Sequence, residues 1–200
     1  MKDDNFKPWE DPHSIWKTEA SFNAYLRSGI RKGLWSRYPI KINWKNEACR
    51  PLTDEERKSG KFHTSTKFVG ECAYCEEAFP KSKLEVDHIE QASQVKLTFE
   101  TVGEFIQNTL CGSDNFCLTC KPCHKIKSHQ EKNPHMTFEE ARIDKEVIEK
   151  MKMKVDAQKK QLLRYGFTED EITNKEKRRE CFTKHLTLLA EKKKERLSKD

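Results

Sequence analysis

The sequence predicts an α+β protein whose small core, held by structural zinc, is flanked by N-terminal and C-terminal helices. Three observations carry this reading. Two C-x-x-C pairs, Cys72/Cys75 and Cys120/Cys123, bracket the alternating segment Leu84-Glu-Val-Asp-His-Ile89, a short strand with Leu84 and Val86 facing inward. Apolar residues recur at helical spacing on both sides of it. Of 200 residues, 34% are apolar and 36% charged, which suits a compact centre carrying solvated helices and leaves no room for a large multidomain enzyme.

Residues 1–67 read as a basic helical region. Ser21 caps a helix running from Phe22 towards Ser36, with Phe22, Tyr25, Leu26 and Ile30 on its apolar stripe and Pro39 closing the segment. Arg27 and Arg31 are four apart and share a face. Between Tyr25 and Arg50, the bases Arg27, Arg31, Lys32, Arg37, Lys41, Lys45 and Arg50 are opposed only by Glu47. On a chain of net charge +6 this local excess fits a phosphate-tracking surface, with Arg27, Arg31 and Arg37 as candidate DNA contacts, while ordinary surface charge remains the alternative.

Residues 68–130 form the expected core. An inserted helix runs from Thr98 as cap through Leu110, with Phe99, Val102, Ile106 and Leu110 in phase and Gly112 as stop. Residues 131–200 form a C-terminal helical extension. From Thr137 onward, Ala141, Ile148, Val155 and Leu162 repeat every seven residues, Met151 and Tyr165 strengthen the stripe, and Gly166 breaks it. Thr168 and Glu171 make a capping-box signature for a last helix that buries Ile172, Phe182, Leu186 and Leu189. Two antiparallel helices are the simplest arrangement, with a polar tail from Lys192 to Asp200 that frays. The heptad-like stripe leaves a monomer and a weak homodimer both open, packing onto the chain's own core being preferred.

No run approaches the ~18 apolar residues of a membrane span, and Met1-Lys-Asp-Asp-Asn lacks the apolar stretch of a secretory signal. Eight cysteines are then expected as reduced thiols in the cytoplasm, where C-x-x-C pairs bind metal. Four thiolates from Cys72, Cys75, Cys120 and Cys123 complete the closed tetrahedral shell of a structural Zn²⁺. Cys117 with Cys120 is an alternative pair. Cys120/Cys123 is preferred, because Pro122 suits the first turn of a helix and Cys117 is at home as a small buried residue. Cys49, Cys111 and Cys181 have no partner at ligand spacing and read as buried or free thiols.

The second pair lies in Asn115-Phe-Cys-Leu-Thr-Cys120-Lys-Pro-Cys123-His124-Lys-Ile-Lys127-Ser128. Together with Asp87-His88-Ile89 and the first pair, this resembles the HNH endonuclease family: C-x-x-C, an Asp-His-Ile step at a strand end, an Asn before the second pair, and C-x-x-C-H-x-x-K. The resemblance covers residues 72–128 and implies the ββα-metal fold, in which two strands and a helix grip one catalytic ion. Softer likenesses at 27–31, at Trp35-Ser-Arg-Tyr-Pro39 and at Asn174-Lys-Glu-Lys-Arg-Arg179 resemble HNH proteins of bacteriophages, which implies a phage-encoded protein working in the cytoplasm of a bacterial host. The long gap from His88 to Asn115, which holds the inserted helix, departs from the pattern.

The resemblance implies that His88 is the general base, that Asp87 and His124 ligate a catalytic Mg²⁺ or Mn²⁺, and that Asn115 braces the loop orienting His88. Lys127, one turn after His124, would then contact phosphate. The expected activity is hydrolysis of double-stranded DNA to 5′-phosphate and 3′-hydroxyl ends, with RNA as an alternative substrate. The competing class is a catalytically silent zinc-ribbon DNA-binding or packaging accessory protein.

Overall fold

A computed structural model describes residues 6–91 and 95–197. The start Met1-Lys-Asp-Asp-Asn and the last three residues of the polar tail lie outside the described residues. The fold is α+β, and the chain divides into two compact units, 1–121 and 122–200.

The first unit opens with α1 (Glu19–Gly29). Its cap is Thr18, not Ser21: the Thr18 hydroxyl accepts the Ser21 N–H at 3.2 Å, and the Ser21 hydroxyl accepts the Thr18 N–H at 3.3 Å. Ser21 therefore serves as the reciprocal partner in the third helical position. Phe22 and Ile30 are buried as expected, whereas Tyr25 is exposed; Ile30 packs with Leu97 and Phe105. Residues Ile30–Leu34 then widen into a π turn, with the Trp35 N–H directed at the Ile30 and Arg31 carbonyls, and Trp35–Arg37 tighten into a 3-10 turn. The helical run ends at Arg37 with Tyr38 extended ahead of Pro39, as expected, and Pro39 then opens α2 (Pro39–Glu47), since its missing N–H and fixed φ suit a first helical turn.

Strands β1 (Arg50–Pro51), β2 (Phe68–Glu71) and β3 (Ala78–Pro80) form an antiparallel sheet in that order, with the short α3 (Asp54–Lys58) between β1 and β2. Strand β4 (Leu84–His88) pairs antiparallel with β5 (Phe116–Cys120), from Leu84 opposite Cys120 to His88 opposite Phe116. Leu84 and Val86 are buried, as their alternation requires. The two sheets meet at Gly70, where an added Cβ would lie 2.8 Å from Leu118 Cδ1 and 3.1 Å from Cys49 Sγ. The inserted helix α4 (Val102–Thr109) is shorter than expected. Thr98 and Thr101 exchange backbone-to-hydroxyl bonds of 2.9 and 3.2 Å in a turn ahead of it, so Thr98 does not cap the helix itself.

Helix α5 (Lys121–Gln130) follows β5 directly, so the chain order through this region is β4, α4, β5, α5. The rest of the second unit is α6 (Phe138–Met151), α7 (Val155–Arg164), a 3-10 turn (Glu169–Ile172) and α8 (Lys175–Leu197). The seven-residue repeat does not make one helix. The chain turns at Lys152–Lys154, Val155 is 47% exposed, and the core is Ile143, Val147, Leu162, Ile172, Cys181, Phe182, Leu186 and Ala190. A buried polar staple fixes the turn: Gln158 Nε2 donates to the Met151 and Met153 carbonyls at 3.0 and 2.8 Å, and Arg178 Nε donates to Gln158 Oε1 at 2.9 Å. Three long helices thus replace the expected two.

Gly166 adopts φ +93°, a left-handed conformation suited to glycine. The Thr168/Glu171 box opens the 3-10 turn, and α8 begins after Asn174, whose Oδ1 accepts the Lys177 N–H at 2.8 Å. Leu189 is exposed rather than buried, and the helix continues to Leu197 where fraying from Lys192 was expected. Among the described residues, no helix is long and apolar enough to cross a membrane.

Candidate metal centre and the His88 site

Cys72 follows β2 and opens a tight turn that Glu76 closes with φ +59°. The Glu76 N–H reaches the Cys72 carbonyl at 2.8 Å, the Cys72 N–H reaches the Glu77 carbonyl at 3.0 Å, and the Ala73 N–H ties the turn to the Leu118 carbonyl on β5 at 2.8 Å. Cys120 ends β5, and Cys123 sits in the first turn of α5. The four sulfurs of Cys72, Cys75, Cys120 and Cys123 lie within 4.8 Å of one another. Thiolates at ~2.3 Å from a tetrahedral zinc stand ~3.8 Å apart, so this cluster fits a structural ion such as zinc. Cys117 stands outside it, half-buried and opposite Asp87 in the hairpin.

Burial pushes the Cys72 thiol up. The backbone N–H groups of Cys120, Cys75 and Tyr74, aimed at its sulfur, outweigh burial and hold it at about 6. The Cys120 N–H lies 3.3 Å from that sulfur. One ligand is thereby favoured as thiolate before metal arrives.

His88 ends β4 on the same side as Leu84 and Val86, because strand side chains alternate. Its ring stacks on Trp35, with centroids 4.4 Å apart and planes at 26°, and meets the edge of Phe116 at 6.1 Å. Such aromatic pairs contribute ~0.5–1.5 kcal/mol beyond their buried area. His88 Nε2 lies 2.9 Å from the Thr109 carbonyl oxygen. A carbonyl only accepts, so Nε2 carries the proton and Nδ1 is the acceptor nitrogen of the neutral ring.

Asn115 staples the chain leaving His88. Its carbonyl accepts the Ile89 N–H at 2.9 Å, its Oδ1 accepts the Glu90 N–H at 2.7 Å, and its Nδ2 donates to the Glu90 carbonyl at 3.1 Å. Tyr38 Oη lies 3.0 Å from both the Leu110 and Cys111 carbonyl oxygens, which share its proton. Lys45 Nζ donates to the Leu84 carbonyl at 2.6 Å, and Lys41 Nζ stands 4.6 Å from the Trp35 ring. Burial pushes both ammonium groups below their ordinary pKa, and Lys45 adds to the effect on Lys41.

Arg27, Arg31 and Arg37 are exposed. Lys127 is buried, with its ammonium 3.6 Å from Glu131, so it does not present itself to solvent as a phosphate contact must. Asp87 and His124 are half-buried, and Asp87 Oδ1 accepts the His88 N–H at 2.9 Å. Among the described residues, the four cysteines are the only group of three or more His, Cys, Asp or Glu side chains gathered closely enough to hold an ion. Any ion at Asp87 and His124 would therefore depend on water or phosphate for its remaining ligands. Sequence reasoning missed Trp35, Tyr38 and Thr109 as neighbours of His88. Thr109 acts through its backbone and has no sequence signal, whereas the aromatic pair Trp35/Tyr38 beside Pro39 is an available hint. No family model, curated protein or solved structure matches this chain.

Proposed function

We propose that this chain is an HNH endonuclease that hydrolyses DNA phosphodiester bonds with one divalent metal and His88 as general base. The observation that supports it most is the arrangement at His88. A strand-end imidazole has Nε2 tied to the Thr109 carbonyl, and the chain beyond it is stapled by Asn115. That tautomer makes Nδ1 the atom that takes a proton from the attacking water. Asn115 holds the segment that carries the base and does no chemistry itself. The exposed Arg27, Arg31 and Arg37 attract the phosphate backbone.

Asp87 and His124 would hold Mg²⁺ or Mn²⁺, one carboxylate and one imidazole being a donor set these ions accept. When bound, such an ion neutralises charge on the phosphate and the departing 3′ oxygen. The four-cysteine centre leaves no open position for substrate and belongs to structure alone. Phage origin and action in a bacterial cytoplasm are part of the proposal, supported by the sequence likeness.

A second reading is a zinc-ribbon DNA-binding or packaging accessory protein. It is favoured by the four-cysteine cluster being the only multidentate site among the described residues. Incubating purified protein with supercoiled plasmid in Mg²⁺, in Mn²⁺ and without added divalent ion separates the two. Nicked or linear product only with added metal is the expected result. Plasmid binding with no product under any condition would overturn the nuclease reading in favour of the accessory one.

A further inference from the structure

We infer that Trp35 is the positioning residue of His88: its indole, laid against the imidazole, fixes the ring plane and so the direction in which Nδ1 points. The inference rests on the nuclease reading for its effect on rate, though not for the geometry. A strand-end histidine has two rotatable side-chain bonds. The bond from Nε2 to the Thr109 carbonyl fixes one ring atom but still permits the ring to turn about that contact. A planar partner at 4.4 Å and 26°, with the edge of Phe116 at 6.1 Å, sets the plane the ring takes within that freedom.

The way Trp35 is held supports a built contact. On one side of it, buried Ile30 packs with Leu97 and Phe105; on the other, Tyr38 Oη is bound to the Leu110 and Cys111 carbonyls. Both anchors lie on the segment 97–111, the same segment whose Thr109 carbonyl receives the His88 proton. Between them, the π turn at Ile30–Leu34 changes the helical phase and presents the indole to the imidazole. Segment 97–111, which departs from the family pattern, thus serves as a frame that sets both the partner atom and the stacking partner of one histidine.

The test compares wild type, Trp35→Leu and Trp35→Phe as full-length, zinc-loaded proteins with equal zinc content and circular dichroism. In histidine-labelled samples at alkaline pH, where imidazole is neutral, the His88 ring protons are assigned with His88→Gln. They should be shifted upfield by the indole ring current in wild type, lose that shift in Trp35→Leu and retain part of it in Trp35→Phe. In parallel, kcat for plasmid nicking should fall up to about 10²-fold in Trp35→Leu with KM unchanged, the size expected when a reacting group is misplaced by ~1 Å. Trp35→Phe should recover most of the loss. Unmoved His88 resonances in Trp35→Leu, or moved resonances with no loss of kcat, would overturn the inference while leaving the nuclease reading intact. If wild type cuts nothing, the nuclease reading falls, and the nuclear Overhauser contacts between the His88 ring protons and Phe116 decide the matter: contacts unchanged in Trp35→Leu would overturn the inference.

Discussion

The two units of this chain are stabilised by different means. Residues 122–197 bury a continuous apolar cluster, Ile143, Val147, Leu162, Ile172, Phe182, Leu186 and their neighbours, between three long helices. Residues 6–121 draw their buried side chains from short strands, among them Val69, Leu84, Val86, Phe116 and Leu118, and from the small cluster Ile30, Leu97 and Phe105. His88 and Asn115 stand in that second setting, which also carries three of the four clustered cysteines. Where the core is thin, a metal can supply the stability that burial does not.

The largest effect follows from this difference. Removing zinc with a strong chelator, or substituting Cys72→Ser, should unfold the hairpin region, because structural zinc contributes on the order of 10 kcal/mol in small domains. Limited proteolysis should then cut within residues 68–120 while 138–197 survives; equal loss of both regions would end the contrast. Next in size, Phe182→Ala should cost about 3–5 kcal/mol in the helical unit without lowering zinc content, as read by denaturant melts and metal analysis. Gln158→Ala should cost about 2 kcal/mol, since it strips hydrogen bonds from the Met151 and Met153 carbonyls and leaves buried Arg178 without its side-chain acceptor.

The smallest effect lies at Glu56. Its carboxyl is held down to about 2, first by hydrogen bonds from the Arg50 guanidinium and then by the Thr53 N–H. A depressed carboxylate pKa favours the folded state above the unfolded value of ~4.3, and that contribution is lost as pH falls towards about 2. Because the pair is on the surface, Arg50→Ala should raise the Glu56 titration, followed by NMR, towards the ordinary range, the Thr53 N–H still holding it somewhat low, with little change in stability.

The four-cysteine centre and strand β4 were readable from residue types and spacing, and much of the surrounding frame was not. The alternation through Leu84 and Val86 gave β4, and the two C-x-x-C pairs gave the four-cysteine cluster. The sheet β1-β2-β3 escaped notice because strands of two to four residues interrupted by Pro51 and Gly70 carry no periodicity. The repeat from Ala141 to Leu162 misled for the opposite reason. Its spacing is regular, but the turn at Lys152–Lys154 is set by Gln158 and Arg178 through contacts that no local pattern displays. Lys127 also misled: spacing from His124 puts both on one helical face, yet that part of the face turns inward.

The central claim, that His88 is the general base of a metal-dependent nuclease, is tested most directly by comparing plasmid cleavage by wild type and His88→Ala in Mg²⁺ and Mn²⁺ at equal zinc content and equal DNA affinity. The predicted result is metal-dependent cutting by wild type that falls by about 10²–10⁴-fold in the variant, the range removed with a general base. Equal cutting by the two proteins would contradict it.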